Sequence, residues 1–332
     1  MIFFFILLFL NFILFLNYKP ISNFLNIYDK PSGLIKKHKI KVSLLGGYIF
    51  YFNFVFIFLS DFFFNLGNLN EIFEQSFESK VIFFINVQFI FFIAFVDDRI
   101  NMKAITRLIL LVFTCSMLVY SNSFSQLDYF KSHYFDTFYF NNSKFLLSVL
   151  ILISIINILN FFDGANLQSG IFFNYVLVYF LLFDFNIIII YFLIINNIFL
   201  FFNFKNKMFL GDFGVYVIAI FLSMFLMFYY RNFHDFKFEN VFLLLFFPII
   251  DFLRLIISRI LKNKNPMYGD RNHIHHIAIN KYKLYKYNLI MSIIYLLNLV
   301  GLYFNLFLLI LLFNLIIYFY LIQIKFRLTK FL

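Results

Sequence analysis

Eleven long apolar runs constrain the fold of this chain more than any other feature. They cover approximately residues 1–17, 42–60, 81–96, 104–121, 145–162, 168–184, 186–203, 209–229, 240–258, 286–303 and 305–323. Because about 20 apolar residues in helical form cross a bilayer, each run predicts a transmembrane helix. A soluble core could not hide a chain of 332 residues that is 63% hydrophobic. The sequence predicts an all-α, polytopic integral membrane protein with one domain, residues 1–332.

Lysine and arginine gather on one side of this predicted bundle. With eleven spans the termini lie on opposite sides, and 20 of the 27 basic residues share a side with the C-terminus. Such an excess is typical of cytoplasmic loops, so the N-terminus is predicted outside and the C-terminus inside. We interpret the net charge of +11 as contacts with anionic lipid headgroups and an anionic substrate, and we expect no nucleic acid partner.

Several aspartates lie where predicted helices meet the cytoplasmic interface. Asp97 and Asp98 are adjacent, and neighbouring helical residues point about 100° apart, so the two are predicted to have different roles. Arg107 is their expected counter-charge. Helix capping is the alternative reading of the aspartates. Because an ionisable group there is costly unless paired, hydrated or bound to metal, function is the preferred interpretation.

Two further segments place polar groups at helix ends. In "NILNFFDGAN", Asn157, Asn160 and Asp163 follow one helical stripe, and Asn166 lies beyond the turn. Plain packing between helices explains Asn157, but it is a weaker explanation for Asp163. In "FLGDFG", Asp212 lies between two glycines at the start of a span, open to a ligand or a metal, with helix capping as an equal alternative.

The segment "PIIDFLR…GDRNHIHH" carries the fourth constellation. Asp251 and Arg254 are three residues apart and can pair on one helix face. A basic loop and a histidine cluster follow, with Arg271, His273, His275 and His276. Histidine spacing alone would permit zinc, but the chain has one cysteine and no HExxH pattern. We interpret these groups as a binding site for a diphosphate and a hard cation, in preference to a solvated charged loop.

In this order the segments resemble the polyprenyl-phosphate N-acetylhexosamine-1-phosphate transferases, glycosyltransferase family 4. A fifth segment, "YDKPSGLIKKHKIKVSLLGG", is similar to the family's loop that ends in His38 and the glycine pair Gly46 and Gly47. The DRxHxHH pattern resembles the branch that uses UDP-N-acetylhexosamine, related to the phospho-MurNAc-pentapeptide translocase. The resemblance covers residues 28–276 and implies transfer of a sugar 1-phosphate, GlcNAc-1-phosphate above all, from a UDP-sugar to undecaprenyl phosphate.

The resemblance also implies residue roles and a location. It makes Asp97, Asp98 and Asp163 catalytic, and it makes Asp212 and Asn160 ligands of Mg²⁺, with Mn²⁺ as the alternative ion. It assigns the binding of the diphosphate and the nucleotide-sugar to His273, His275, His276, Arg271, Asn166 and His38. Lipid-phosphate binding falls to Arg107 and Lys103. The expected location is the bacterial inner membrane, with a cytoplasmic active site and a homodimer as an open alternative for its assembly.

This chain departs from the family pattern at three positions of interest. Asn166 stands where a second aspartate is frequent, and Leu167 where glycine is usual. Phe213 replaces a small residue beside Asp212, which puts the sugar specificity in question. Two other functions stay open from the sequence, a polytopic transporter and a catalytically inactive family member.

Overall fold

The structure is a computed structural model that describes residues 2–29, 41–64, 77–100, 102–121, 126–265 and 272–328. The helices are α1 (Ile2–Leu16), α2 (Tyr18–Leu25), α3 (Leu45–Phe64), α4 (Phe77–Ile100), α5 (Ala104–Ser121), α6 (Lys144–Phe162), α7 (Gln168–Phe180), α8 (Ile187–Phe204), α9 (Gly211–Asn232), α10 (Phe238–Leu244), α11 (Phe246–Leu261), α12 (Ile274–Tyr303) and α13 (Phe307–Leu328). Each apolar run of the sequence coincides with one of these helices or with a bent pair, so the described residues are predominantly helical and apolar in the expected places.

Seven of the described helices are long and apolar enough to cross a membrane, and two bent pairs raise the number to nine. The pairs are α1 with α2, bent by 75°, and α10 with α11, bent by 72°. Helix α7 has 13 residues, which is about 20 Å of helix and shorter than the hydrocarbon layer. The chain is therefore a multi-pass membrane protein, while the count of eleven spans and the orientation stay predictions.

Helix α9 lies at the centre of the bundle. It packs against α3, α4, α6 and α7, and 94% of its most apolar stretch of 18 residues is buried. Close approach to α3 depends on two glycines, because a Cβ on Gly214 would lie 2.5 Å from the Cα of Gly47. Small residues at such crossings let helix backbones touch. Gly47, of the glycine pair in the sequence motif, thus has a packing role, and its contact with Gly214 positions the first turn of α9.

Two short hairpins accompany the helices. Strands β1 (Tyr28–Asp29) and β2 (Val42–Ser43) pair antiparallel at the end of the bundle that carries the start of α9. The backbone N–H of Phe209 donates to the carbonyl oxygen of Ser43 at 2.8 Å, which ties the segment before α9 to this hairpin. Strands β3 (Tyr129–Phe130) and β4 (Phe138–Tyr139) form the second antiparallel hairpin.

Candidate active site

A cavity of about 790 Å³ opens where α4, α6, α9 and α12 end or begin. Its walls include four aspartates that the sequence placed at helix ends, together with Asn166 and His276. The four aspartates are Asp97, Asp98, Asp163 and Asp212. Residues as far apart in sequence as Asp97 and His276 therefore share one site. That convergence supports the prediction that the motifs act together.

Asp98 holds the first turn of α9. Its Oδ1 accepts from the N–H of Asp212 at 3.0 Å, and its Oδ2 accepts from the N–H of Phe213 at 3.0 Å. A carboxylate at a helix N-terminus satisfies free N–H groups and the positive end of the helix dipole. Gly211 makes room, because it has φ +70° and a Cβ there would lie 2.8 Å from Asp98 Oδ2. Asp98 therefore caps a helix, as the alternative reading proposed. The helix that it caps is α9, and not α4, to which it belongs.

Asp97 has a different role, as the sequence predicted for adjacent carboxylates. Its Oδ1 accepts from the N–H of Met102 at 2.8 Å, and its Oδ2 accepts from Arg107 Nη1 at 2.6 Å. The same Nη1 lies 3.6 Å from Oδ2 of Asp212. Arg107 is thus the counter-charge of Asp97, and it also lies beside Asp212. The carboxylate of Asp212 is 40% exposed, which leaves it open to the cavity.

Asp163 ends α6 at the opposite wall. Its Oδ1 accepts from the hydroxyl of Ser169 at 2.6 Å. The pKa of Asp163 is raised from 3.8 to about 6, chiefly by burial; the hydrogen bond from Ser169 opposes this rise and the charge of Asp212 adds to it. A carboxylate whose ionisation is opposed by a neighbouring carboxylate is stabilised in its charged form by a nearby cation.

The asparagines of the same segment divide into separate roles. Asn157 donates to the carbonyl oxygen of Ile153 in its own helix at 2.8 Å, which agrees with a packing role. Asn160 lies in the last turn of α6 and is not among the described residues that line the cavity. Its predicted role as a metal ligand stays a prediction. Asn166 lines the cavity and donates to Oδ1 of Asn206.

Leu167 explains why glycine is usual at its position. It has φ +70°, which costs a non-glycine residue roughly 1–2 kcal/mol. Its N–H donates to Oδ1 of Asn203 at 2.6 Å, and Asn203 donates to the carbonyl oxygen of Met208 at 2.8 Å. The turn is therefore fastened from the end of α8, and this chain keeps its geometry without glycine.

The three histidines form one stack with three environments. Ring centroids of His273 and His275 lie 5.2 Å apart, and those of His275 and His276 lie 4.3 Å apart. His273 Nδ1 is 3.6 Å from Oδ2 of Asp251. His275 is buried at 1% exposure, whereas His276 lines the cavity. Of the three histidines expected to bind diphosphate, His276 alone is among the described residues that line the cavity.

Asp251 and Arg254 pair as their spacing predicted. Arg254 Nη2 donates to Asp251 Oδ1 at 2.6 Å and to the carbonyl oxygen of Asn272 at 2.6 Å. Both oxygens of Asp251 accept from the N–H of Ile274, at 3.2 and 3.1 Å. The pair therefore fixes the first turn of α12, which carries the histidines.

Other predicted site residues lie elsewhere. His38 and Arg271 fall outside the described residues. Lys103 is exposed just before α5 and does not line the cavity. Phe213 turns away from the cavity and packs on Tyr48 and Tyr51, with ring centroids 4.8 and 5.2 Å away. The structure thus gives Phe213 aromatic neighbours, and its bearing on sugar specificity stays a prediction.

Sequence reasoning missed several residues of the cavity wall. Tyr28 and Asp29 reach it from β1, and Asn203, Asn206 and Asn280 reach it from α8, the loop after it and α12. Asparagine is frequent throughout this chain, so single asparagines gave no signal. The tyrosine and aspartate of "NIYDKP" precede the motif glycines and could have been singled out by that position.

The side chains of the cavity suit some metal ions and not others. Among the described residues, no three histidine, cysteine, aspartate or glutamate side chains converge on one metal position. Zinc, which takes four protein ligands or three with water, does not fit them. Mg²⁺ fits, because it is bound through one or two carboxylates together with substrate phosphates and waters. Asp212 and Asp163 are the carboxylates in the cavity that could hold it.

Comparison with known proteins agrees with this geometry. The family model described as glycosyl transferase family 4 matches residues 80–230, a stretch that contains Asp97, Asp98, Asp163 and Asp212. No curated protein sequence matches the chain. The fold defines a multi-pass membrane protein. Over residues 80–230 this chain is similar to glycosyl transferase family 4, and the match does not distinguish the branches of that family.

Proposed function

We propose that this protein transfers N-acetylhexosamine 1-phosphate, with GlcNAc as the sugar, from a UDP-sugar to polyprenyl phosphate. An oxygen of the lipid phosphate attacks the β-phosphorus of the UDP-sugar. The bond from that phosphorus to the bridging oxygen breaks, and UMP leaves with the bond's electrons. The product is a polyprenyl-diphospho-sugar, the start of a lipid-linked surface glycan in the bacterial inner membrane.

The negative charge of the cavity wall is the observation that best supports this proposal. The described residues that line it include five aspartates and one histidine, but no lysine or arginine. Such a wall repels an anionic substrate unless a cation offsets the charge. A reaction between a diphosphate and a phosphate ester under Mg²⁺ fits this arrangement, because Mg²⁺ is usually bound through one or two carboxylates together with substrate phosphates. Asp212 and Asp163 would hold Mg²⁺, which supplies charge stabilisation to the diphosphate when bound.

Fixed hydrogen bonds give the other aspartates positioning roles. Asp98 orients the first turn of α9 and so directs the carboxylate of Asp212 into the cavity. Asp97 holds Arg107 at 2.6 Å, and the guanidinium remains 17% exposed. Arg107 is our candidate for receiving the lipid phosphate, since a guanidinium pairs well with phosphate oxygens.

Direct attack by the lipid phosphate needs no enzymatic base. The second pKa of a phosphate ester is about 6, so near pH 7 most of the nucleophile is already ionised. Asp97 and Asp98 each use both carboxylate oxygens in hydrogen bonds. We therefore assign them to orientation and Asp212 to the reacting phosphates.

The test uses full-length protein in phospholipid nanodiscs, with polyprenyl phosphate, UDP-GlcNAc and Mg²⁺. We expect UMP release that EDTA abolishes and added Mg²⁺ restores. Asp212→Asn should reduce the rate by at least about 100-fold, because it removes a carboxylate from the reacting phosphates. Asp136→Asn makes the same change at an exposed site in the second hairpin, and it should keep full activity.

UDP-GalNAc and 6-deoxy UDP-sugars, assayed in parallel, identify the donor. Release of UMP from one of them and not from UDP-GlcNAc would change the sugar and keep the reaction. No release from any UDP-N-acetylhexosamine by protein with a cooperative thermal transition would leave a transporter or an inactive relative as the explanation.

A further inference from the structure

A tyrosine of the last helix closes the cluster around Asp251. The hydroxyl of Tyr318, in α13, accepts from Arg254 Nε at 2.8 Å and donates to Asp251 Oδ1 at 3.2 Å. Tyr318 is 2% exposed. Its hydroxyl therefore uses both its donor and an acceptor position inside the bundle, where an unsatisfied hydroxyl would be costly.

The partners of Tyr318 lead directly to the histidines. Asp251 binds the N–H of Ile274, and Arg254 binds the carbonyl oxygen of Asn272. These two backbone groups enclose His273, whose Nδ1 lies 3.6 Å from Asp251. A shift in the position of the Asp251–Arg254 pair would therefore shift the start of α12.

From these contacts we infer that Tyr318 is a positioning residue, which sets the first turn of α12, and with it the histidine stack, through Asp251 and Arg254. As a role in catalysis, this rests on the function proposed above. Nothing in the sequence pointed to Tyr318, which lies 64 residues beyond Arg254 in a uniformly apolar run. The last helix is therefore part of the active-site support, and not only of the bundle.

The informative variant is Tyr318→Phe, which keeps the ring and removes the hydroxyl. Support residues of this kind typically contribute about 10–100-fold, so we expect kcat to fall by about 10-fold with a smaller change in KM for the UDP-sugar. Tyr320→Phe is the matched control, because it removes a hydroxyl from the same helix at a residue that is 58% exposed. That hydroxyl accepts from the hydroxyl of Tyr282, at 3.3 Å, more than a turn beyond the first turn of α12. Tyr320→Phe should leave kcat unchanged.

A double-mutant cycle separates positioning from general destabilisation. Arg254→Lys removes the Nε donor that binds Tyr318, so Tyr318→Phe should cost much less in that background than in the wild type. Equal losses in both backgrounds, or a Tyr318→Phe protein with the kcat of the Tyr320→Phe control, would overturn the inference.

Hydrogen exchange provides a readout that does not depend on activity. In Tyr318→Phe, amides in the first turn of α12, including that of Ile274, should exchange faster than in wild type and in Tyr320→Phe. If the wild type releases no UMP but this exchange difference is present, the proposed function fails and the structural link stands. Unchanged exchange with an active wild type removes the link and leaves the proposed function in place.

Discussion

The imidazole of His275 lies so close to Gly164 that no side chain fits between them. A Cβ at Gly164 would stand 2.0 Å from Nε2 and 2.2 Å from Cε1 of His275, and the ring is almost fully buried. Gly164 therefore provides the space for the ring of His275, which lies 111 positions later in the sequence. Two motifs that look independent in sequence form one packed unit.

Gly164→Ala should displace the histidine stack and lower activity. We expect a loss of about 10–100-fold in kcat/KM, since small misplacements of binding groups have effects of this size. The check is the same change in a His275→Ala background, where the ring is gone and Gly164→Ala should cost little more. A full additional loss there would contradict displacement of His275 as the cause.

Asp98 and Asp212 should respond differently to the same substitution. Asp98→Asn replaces one accepting oxygen with an NH₂ group that faces a backbone donor, so it should lower stability by about 1–2 kcal/mol together with activity. Asp212→Asn should lower activity without lowering the thermal midpoint. Thermal unfolding in detergent, measured beside UMP release, distinguishes a positioning role from a role at the substrate; equal midpoints for the two variants would refute the division.

Leu167→Gly should stabilise the protein. Glycine removes the strain of the positive φ, and after the greater freedom of glycine in the unfolded chain the net gain should be about 0.5–1 kcal/mol. Leu167→Ala keeps the strained backbone and serves as the control, with no gain. A lower thermal midpoint for Leu167→Gly would show that packing of the leucine side chain outweighs the strain.

Gly214→Ala should damage the site through the crossing of α3 and α9. The new methyl group would meet backbone of Gly47, and overpacking of this kind costs about 1–3 kcal/mol. Gly301→Ala is the matched control in α12, because there the methyl group meets the flexible side-chain end of Ile310. We expect a lower midpoint and reduced UMP release for Gly214→Ala alone, and similar behaviour of the two variants would count against the crossing as the limiting contact.

Local chemistry made much of this molecule predictable from its sequence. Apolar length alone located the helices, because hydrogen bonds within each helix are required in a bilayer. Asp251 and Arg254 pair because residues three apart share a helix face. The different roles of Asp97 and Asp98 follow from the 100° between neighbouring residues.

Long-range contacts could not be predicted in this way. The sequence gives no reason for Asp98 to bind the N–H of Asp212, which lies 114 residues away. The hydroxyl of Tyr318 was hidden among many aromatic residues, and Asn203 among many asparagines. Asn160 was grouped with Asp163 by helical spacing, but α6 ends at Phe162, between the two residues.

The contact between Asp98 and α9 also sets an order of assembly. Helix α4 leaves the ribosome well before α9, and the cavity is incomplete until α9 packs among α3, α4 and α6. A nascent chain that ends before Gly211 therefore carries most of the aspartates of the cavity without the helix that completes its wall. The cavity is completed late in biogenesis, when the central helix packs against neighbours that were made before it.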